Sequence, residues 1–139
     1  MSENADGSPA NYYFTDITLK QSSKIEIVGK VNIFITGKLD ARNGTDITAT
    51  GDPGDFAIYS SATGSSNGDI TLHNSSELHG VIYAPKSTLE MKNSAALYGA
   101  VFGSEIVFHN SFTLFYDEAL KDKYATVSDD VALISWEEE

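Results

Sequence analysis

Cysteine is absent from this 139-residue chain, and arginine and tryptophan occur once each, at Arg42 and Trp136. Without cysteine, a disulfide framework and a cysteine-based zinc site are both excluded. No hydrophobic run approaches the roughly 18 residues that a membrane helix needs. The polar residues 1–11 have neither the basic start nor the apolar stretch of a signal peptide. We therefore expect neither a disulfide-rich scaffold nor a membrane span.

Basic residues are also scarce, with nine Lys and Arg against twenty Asp and Glu and a net charge of −11. Nucleic-acid binding normally requires a basic stripe that displaces phosphate counterions, and the sequence contains none. Anionic membrane surfaces are disfavoured for the same reason. We therefore expect no nucleic-acid partner and no membrane insertion by this segment.

Short β-strand patterns dominate the chain up to about Tyr116. Most are three to six residues long and alternate apolar with polar residues, and Gly, Asn, Asp and Ser separate them as turn formers. No helical period of any length occurs in the same region. The pattern predicts an all-β protein.

One nine-residue pattern recurs along the sequence, which we read as apolar-x-apolar-x-Asn-Ser-x-x-Leu. Three copies are separated by steps of 19 and 17 residues, and a fourth has Gln in place of Asn; the copies are Ile70–Leu78, Leu89–Leu97, Ile106–Leu114 and Ile17–Ile25. This period suits one coil of a β-solenoid. We predict a single-stranded-stack β-solenoid (parallel β-helix) of about five to six short coils with a C-terminal capping segment.

The repeat also assigns residues to corners of the coils. A structural corner ladder is predicted where Asn tolerates a left-handed backbone and its amides stack along the axis; its members are Gln21, Asn74, Asn93 and Asn110. Gly80 and Gly99 are expected to relieve crowding or permit a bend at matching corners. The N-terminal coils are less regular, with predicted starts near Ile17, Ile33 and Ile47.

Three regions follow from this pattern. We expect a disordered or extraneous tail over 1–11, the β-solenoid over 12–120, and a C-terminal capping or fold-back segment over 121–139. The open sheet edges at the ends of a solenoid require such caps. The apolar run Val131–Trp136 is expected to fold back along the stack, and Tyr12–Phe14 to plug the opposite end.

Several segments resemble the β-solenoid domain of bacterial type IV pilus-associated proteins of the PilX-like kind and related cell-surface proteins. The resemblance runs from about Tyr12 to the end of the chain, and the segments that carry it are Val31–Gly37, Gly80–Pro85, Gly99–Gly103, Phe115–Leu120 and Ile134–Glu137. Its more specific elements are Tyr-Ala-Pro and Tyr-Asp-Glu-Ala-Leu. The usual corner of that family is Gly-Asn, whereas this chain has Asn-Ser.

The resemblance implies an extracellular, cell-surface location and a pilin-like helix upstream of this domain in full-length relatives. The expected function is a non-catalytic structural or interaction module acting as a spacer, an adhesin or an assembly component. Its partners would be other pilus or surface proteins, or an extracellular surface or glycan. The alternative is a carbohydrate-binding or carbohydrate-active β-solenoid protein.

Residues with metal-binding or catalytic chemistry do not form a convincing site in the sequence. His73 and His109 share a repeat position, but Lys92 occupies it in the coil between them, so we expect surface side chains. Asp52, Asp55 and Asp69 lie in glycine-containing loops, where turn formation is favoured over calcium binding. We predict no catalytic residue, cofactor or metal.

Carboxylate clusters and threonine ladders are likewise not specified by the repeat. The counterparts of Glu77 are Ala96 and Thr113, so a glycosidase-like carboxylate cluster cannot be assembled. Thr71 is followed in the repeat by Glu90 and Val107, so a flat threonine face of the ice-binding kind is not expected.

Exposed aromatic residues suggest a possible interaction surface. Tyr83 and Phe102 share a repeat position beside inward-pointing aliphatic residues, and we expect Tyr98 to join them in an outward strip. Such a strip would pack against the C-terminal tail, whose Trp136 needs a surface to cover it, or against a partner.

Overall fold

A computed structural model describes residues 1–63 and 69–116 as eleven β-strands and one 3-10 turn. The strands are β1 (Ala10–Phe14), β2 (Ile17–Leu19), β3 (Lys24–Ile27), β4 (Val31–Ile35), β5 (Leu39–Ala41), β6 (Asp46–Ala49), β7 (Phe56–Ser60), β8 (Ile70–Leu72), β9 (Glu77–Met91), β10 (Ala96–Phe108) and β11 (Thr113–Phe115), and the 3-10 turn spans Pro53–Asp55. Within these residues, no helix is long and apolar enough to cross a bilayer.

All strand pairs are parallel, and each coil contributes one short strand to each of three sides. The first side stacks β1, β4, β7 and the middle parts of β9 and β10. The second side stacks β2, β5, β8 and the last parts of β9 and β10. The third side stacks β3, β6, the first parts of β9 and β10, and β11. This arrangement confirms the predicted all-β solenoid, with about five coils.

The core consists of aliphatic side chains stacked in columns, because residues two apart on a strand point to the same face. Ile70 pairs with Leu89, which pairs in turn with Ile106 on the second side. Leu78 and Leu97 are both fully buried on the third side. The register predicted from the repeat is therefore correct for the C-terminal coils.

The corner between the second and third sides is a tight turn repeated in every coil. The backbone N–H of Ser75 donates to the Asn93 carbonyl of the next coil at 3.1 Å, and Ser94 donates likewise to Asn110. In every coil, the residue directly after the predicted amide-ladder position has a left-handed backbone, with φ of 56–64°. These residues are Ser22, Gly44, Ser75, Ser94 and Ser111.

This geometry refines the predicted corner ladder of Gln21, Asn74, Asn93 and Asn110. The four residues do lie at the corner, but only Asn93 and Asn110 have positive φ, of 29° and 24°. One amide rung forms, in which Asn110 Nδ2 donates to Asn93 Oδ1 at 3.3 Å. Backbone hydrogen bonds therefore hold most of this corner together, and side-chain amides contribute one rung.

Gly80 and Gly99 stand at the corner where β9 and β10 bend from the third side to the first. They have φ of 151° and 146°, and a Cβ on Gly99 would collide with the Gly80 carbonyl oxygen. The expected role of these glycines, to relieve crowding at matching corners, is therefore confirmed. A side chain at either position would keep its coil from approaching the preceding coil to strand spacing.

The predicted coil starts at Ile33 and Ile47 are wrong, because these residues lie on different sides of the coil from Ile17. The residue above Ile17 is Leu39, followed by Ile70. Leu39–Ile47 is thus a fifth copy of the repeat. Gly44 replaces the corner serine in this copy, and that substitution hid it from the pattern.

Residues 1–11, expected to be a disordered or extraneous tail, lie against the first coil. Ser2 forms a parallel bridge with Val28, and the Met1 carbonyl accepts a 2.9 Å hydrogen bond from the Val28 N–H. Tyr12 and Phe14 do not form a separate plug, since they are the inward residues of β1 and pack on the core. The predicted cap over 121–139, with Val131–Trp136, lies outside the described residues.

Candidate interaction surface

Five aromatic rings form a column on the outside of the first side, which we call the aromatic column. One ring comes from each coil, and the members are Tyr13, Phe34, Tyr59, Tyr83 and Phe102. They stand outside because each lies one residue before or after an inward core residue of its strand. The coil stack thereby brings together residues that are up to 89 positions apart in the sequence.

The ring geometry changes along the aromatic column. Tyr13 stacks on Phe34 at 5.0 Å and 14°, and Phe34 stacks on Tyr59 at 5.2 Å and 16°. Tyr83 is instead turned against its neighbours, at 62° to Tyr59 and 56° to Phe102. In the lower half of the column, neighbouring rings therefore cover each other's faces. Tyr13, at the end of the column, remains 72% exposed, and Tyr83, where the parallel stacking stops, remains 44% exposed.

A second column on the same side, which we call the small-residue column, runs beside the rings. It consists of Asn11, Asn32, Ala57, Val81 and Ala100. Its upper three members form a small hydrophobic cluster with Tyr59 and Phe102. At its lower end, Asn32 Nδ2 donates to Asn11 Oδ1 at 3.1 Å. The first side thus carries a buried hydrophobic cluster above, since Ala57, Val81 and Ala100 are at most 8% exposed, and an amide pair below.

The outer face of the first side carries no ionic group. None of the ten residues of the two columns is Asp, Glu, Lys, Arg or His, although 21% of the chain is charged. Depletion of charge together with aromatic enrichment is the compositional signature of interface cores. This face is therefore the strongest candidate for an interaction surface among the described residues.

Of the predicted interaction residues Tyr83, Tyr98 and Phe102, the structure brings together Tyr83 and Phe102 only. Tyr98 lies on the third side, where it stacks between His79 at 4.5 Å and Phe115 at 4.8 Å. The chain bends at Gly99, so residues 98 and 102 belong to different sides.

Tyr13, Phe34 and Tyr59 were missed at the sequence level. Their coils lack the Gly-x-x-aromatic spacing of Gly80 to Tyr83 and Gly99 to Phe102. The missed signal was the alternation inside Val31–Ile35, where a single large polarizable residue, Phe34, stands at an outward position. An aromatic residue at an outward strand position, where a polar residue is expected, is typical of an interaction surface.

The corner after the second side carries a charged column, whose members are Lys20, Arg42, His73, Lys92 and His109. His73 Nε2 lies 2.7 Å from Asp40, which also pairs with Arg42 at 3.1 Å. His109 Nε2 lies 3.2 Å from Glu90, which also pairs with Lys92 at 3.0 Å. Each carboxylate therefore links neighbouring coils.

The loop aspartates occupy separate places. Asp55 accepts a 3.2 Å hydrogen bond from the Asp52 N–H in the 3-10 turn, whereas Asp69 lies buried before β8, and its Oδ2 has no hydrogen-bond partner among the described residues. In residues 1–63 and 69–116, no three His, Asp or Glu side chains converge as metal ligands. The hydroxyl and N–H of Ser8, which donate hydrogen bonds to exposed Asp6, hold the pKa of that carboxyl below its usual value.

The repeat positions of Glu77 and Thr71 pair across the coils as the sequence predicted. Ala96 pairs with Glu77 below it and Thr113 above it. Thr71 pairs with Glu90, so the second side has no continuous threonine ladder.

The family comparison agrees with the extent of this architecture. The family model described as "Domain of unknown function (DUF7305)" matches residues 12–123. The chain belongs to the DUF7305 family. The matched region of this DUF7305 domain includes all five coils and both outward columns except Asn11. No curated protein and no solved structure shows a significant match to the chain.

Proposed function

We propose that this domain is a non-catalytic interaction module of a bacterial type IV pilus-associated or related cell-surface protein. It acts outside the cell as an adhesin, a spacer or an assembly component. The observation that carries the proposal is the uncharged aromatic face, which is continuous over all five coils. An exposed aromatic surface favours aggregation unless a partner uses it, so its persistence through every coil supports a binding role.

The rest of the fold supports a rigid scaffold. Every coil is hydrogen-bonded to the next along three sides, and the core columns are continuous. Such a stack holds the outward residues of successive coils at a regular spacing, as a spacer or an adhesin requires. The half-buried carboxylates Asp40 and Glu90 are each held by a cation and a histidine, which is a structural use of these groups.

An experiment on intact bacteria tests the location and the role together. An antibody raised against the domain should label unpermeabilised cells that produce the full-length protein. Cells carrying the Tyr13→Ala/Tyr83→Ala protein should still be labelled but should adhere at least about fivefold less well, because the most exposed rings of the aromatic column are gone.

Tyr98→Ala provides the matched control, because it removes an aromatic residue of the same size from the third side. Cells carrying it should adhere as the wild type does. Labelling only after permeabilisation would refute the surface location, and full adhesion by the double variant would refute the role of the aromatic column.

A further inference from the structure

We propose that the edge of β1 that faces away from β4, which we call the lower edge, binds an extended peptide segment of a partner protein as an additional β-strand. This inference rests on the proposed function, because it names a class of partner for the interaction module. The backbone of β1, the partly covered core beside it, the ring of Tyr13 and the charges that flank the strand each support it.

The backbone of β1 is hydrogen-bonded along one edge only. The N–H of Ala10 and the carbonyl of Phe14 bond to the residues just before and just after β4, at 3.0 Å and 3.2 Å. Because the backbone groups of successive strand residues point to opposite edges, those of Asn11 and Tyr13 point to the lower edge. In the described part of the chain, β1 has no strand partner there. Two N–H and C=O pairs, two residues apart, are complementary to the backbone of an extended peptide.

A further coil already begins below the first one, on the third side. The Met1 carbonyl accepts a hydrogen bond from the Val28 N–H, and the Glu3 N–H donates to the Val28 carbonyl, both at 2.9 Å. Residues 1–3 therefore continue the stack below β3. On the other two sides, β1 and β2 are the last strands among the described residues. A peptide strand below β1 would occupy the next position of the same stack.

The core is only partly covered at the lower edge. Tyr12 and Phe14 are half-buried, whereas Ile33 and Ile35, which pair with them in β4, are 1% exposed. The β1 segment contains neither a charged residue nor a proline, which are the usual protection of an exposed sheet edge. A peptide with apolar residues at alternate positions would therefore cover core side chains as well as pair with the backbone.

The ring of Tyr13 ends the aromatic column at the lower edge. Phe34 stacks on one face of this ring at 5.0 Å, and Tyr13 remains 72% exposed because its other face points away from the column. Side chains of residues that pair across neighbouring strands contact each other. A peptide residue paired with Tyr13 would therefore cover that face, and an aromatic residue at this position would extend the column by one ring.

Acidic residues flank the strand in the sequence. Asp6 precedes β1 and Asp16 follows it, and both are exposed. The whole chain has a net charge of −11. These charges favour a peptide in which basic residues flank an uncharged strand.

An acetylated and amidated peptide with the sequence of residues 30–38 is the probe. This segment contains β4, which pairs with the opposite edge of β1, and a lysine stands at each end of it. Isothermal titration should show that the peptide binds the purified chain. A peptide with Ile33→Pro should bind at least about tenfold more weakly, because proline removes a backbone donor to the lower edge.

Two substitutions at Asn11 separate the backbone from the side chain. Asn11→Pro removes the N–H that points to the peptide but no hydrogen bond to β4, and it should weaken binding about tenfold or more. Asn11→Ala keeps that N–H and should change the affinity by less than about threefold. Circular dichroism should show wild-type β-structure for both variants. A peptide that replaced β4 within the stack would bind the other edge of β1, and its binding would not respond to Asn11→Pro.

The ring is tested in the same titration. Tyr13→Ala should weaken binding about threefold or more, because the peptide loses its contact with the open ring face. Tyr98→Ala is the matched control on the third side and should change the affinity by less than about twofold.

The inference is overturned if the peptide does not bind, if the Ile33→Pro peptide binds equally well, or if Asn11→Pro and Asn11→Ala change the affinity equally. The chain alone should sediment as a monomer. A dimer that Asn11→Pro dissociates would assign the lower edge to a second copy of the chain instead.

Failure here is distinguishable from failure of the proposed function. If the chain does not bind the peptide while Tyr13→Ala/Tyr83→Ala cells lose adhesion, the interaction module stands and strand addition is excluded. If the peptide binds while those cells adhere fully, strand addition stands and the adhesive role of the aromatic column is excluded.

Discussion

At the scale of single residues, the solenoid depends on small groups at its corners. Ser76 is fully buried, accepts a 3.2 Å hydrogen bond from Thr45 and donates to the carbonyls of Ala41 and Arg42. Gly99 allows two coils to touch through their backbones. Large side chains at either place would separate strands that must remain about 4.8 Å apart.

Gly99→Ala should lower the free energy of unfolding by about 2–5 kcal/mol, from steric overlap with the Gly80 carbonyl and from backbone strain at φ 146°. Gly44→Ala is the matched control, since a Cβ there meets nothing within 4 Å and costs only the left-handed backbone, about 1–2 kcal/mol. Urea denaturation measures both. Equal losses would contradict the close approach of the coils at Gly99.

At the scale of strands and columns, two kinds of ladder join the coils. The core ladder buries aliphatic side chains completely, as at Leu78, whereas the ion-pair ladder of Asp40 and Glu90 stays about one-fifth to one-third exposed. Burial of apolar surface is worth far more than a partly solvated ion pair. The core columns therefore provide most of the stability.

Leu78→Ala should accordingly destabilise the domain by about 2–5 kcal/mol, because it leaves a cavity between the buried side chains of Ile47 and Leu97. Asp40→Asn should cost less than about 1 kcal/mol, because its partners Arg42 and His73 are partly solvated. Thermal or urea unfolding of both variants compares the ladders directly. A larger loss for Asp40→Asn would assign the stability to the ion pairs instead.

The repeat pattern allowed the coils, the core columns and both corner glycines to be predicted from the sequence. It could not reveal the copy at Leu39–Ile47, since Gly44 breaks the pattern, nor the order of residues 1–11, since their bonds to Val28 are made by the backbone. The aromatic column was found only in its upper half. Which side a residue joins depends on where the chain bends, and Tyr98 and Phe102 are separated by such a bend.

At the scale of the whole molecule, charge and aromatic surface are segregated. The described ion pairs lie on the second and third sides and at the corner between them, while the two outward columns of the first side carry no charged residue in any of the five coils. Because a solenoid repeats one cross-section, a residue type kept at one position becomes a stripe along the axis. The proposed function uses this property of the fold.

The register of the aromatic column is the claim on which the proposed function stands, and disulfide formation tests it in a chain that has no cysteine of its own. Phe34 and Tyr59 are paired across adjacent coils, so Phe34→Cys/Tyr59→Cys should form an intramolecular disulfide under mild oxidation, within the usual Cα separation of about 4.4–6.8 Å. Phe34→Cys/Tyr83→Cys is the matched control, since two coils separate its thiols by about 9.6 Å.

Mass spectrometry of the oxidised monomers should show the loss of two hydrogen atoms for the Phe34→Cys/Tyr59→Cys protein and not for the Phe34→Cys/Tyr83→Cys protein. A disulfide in the second protein, or none in the first, would contradict the column.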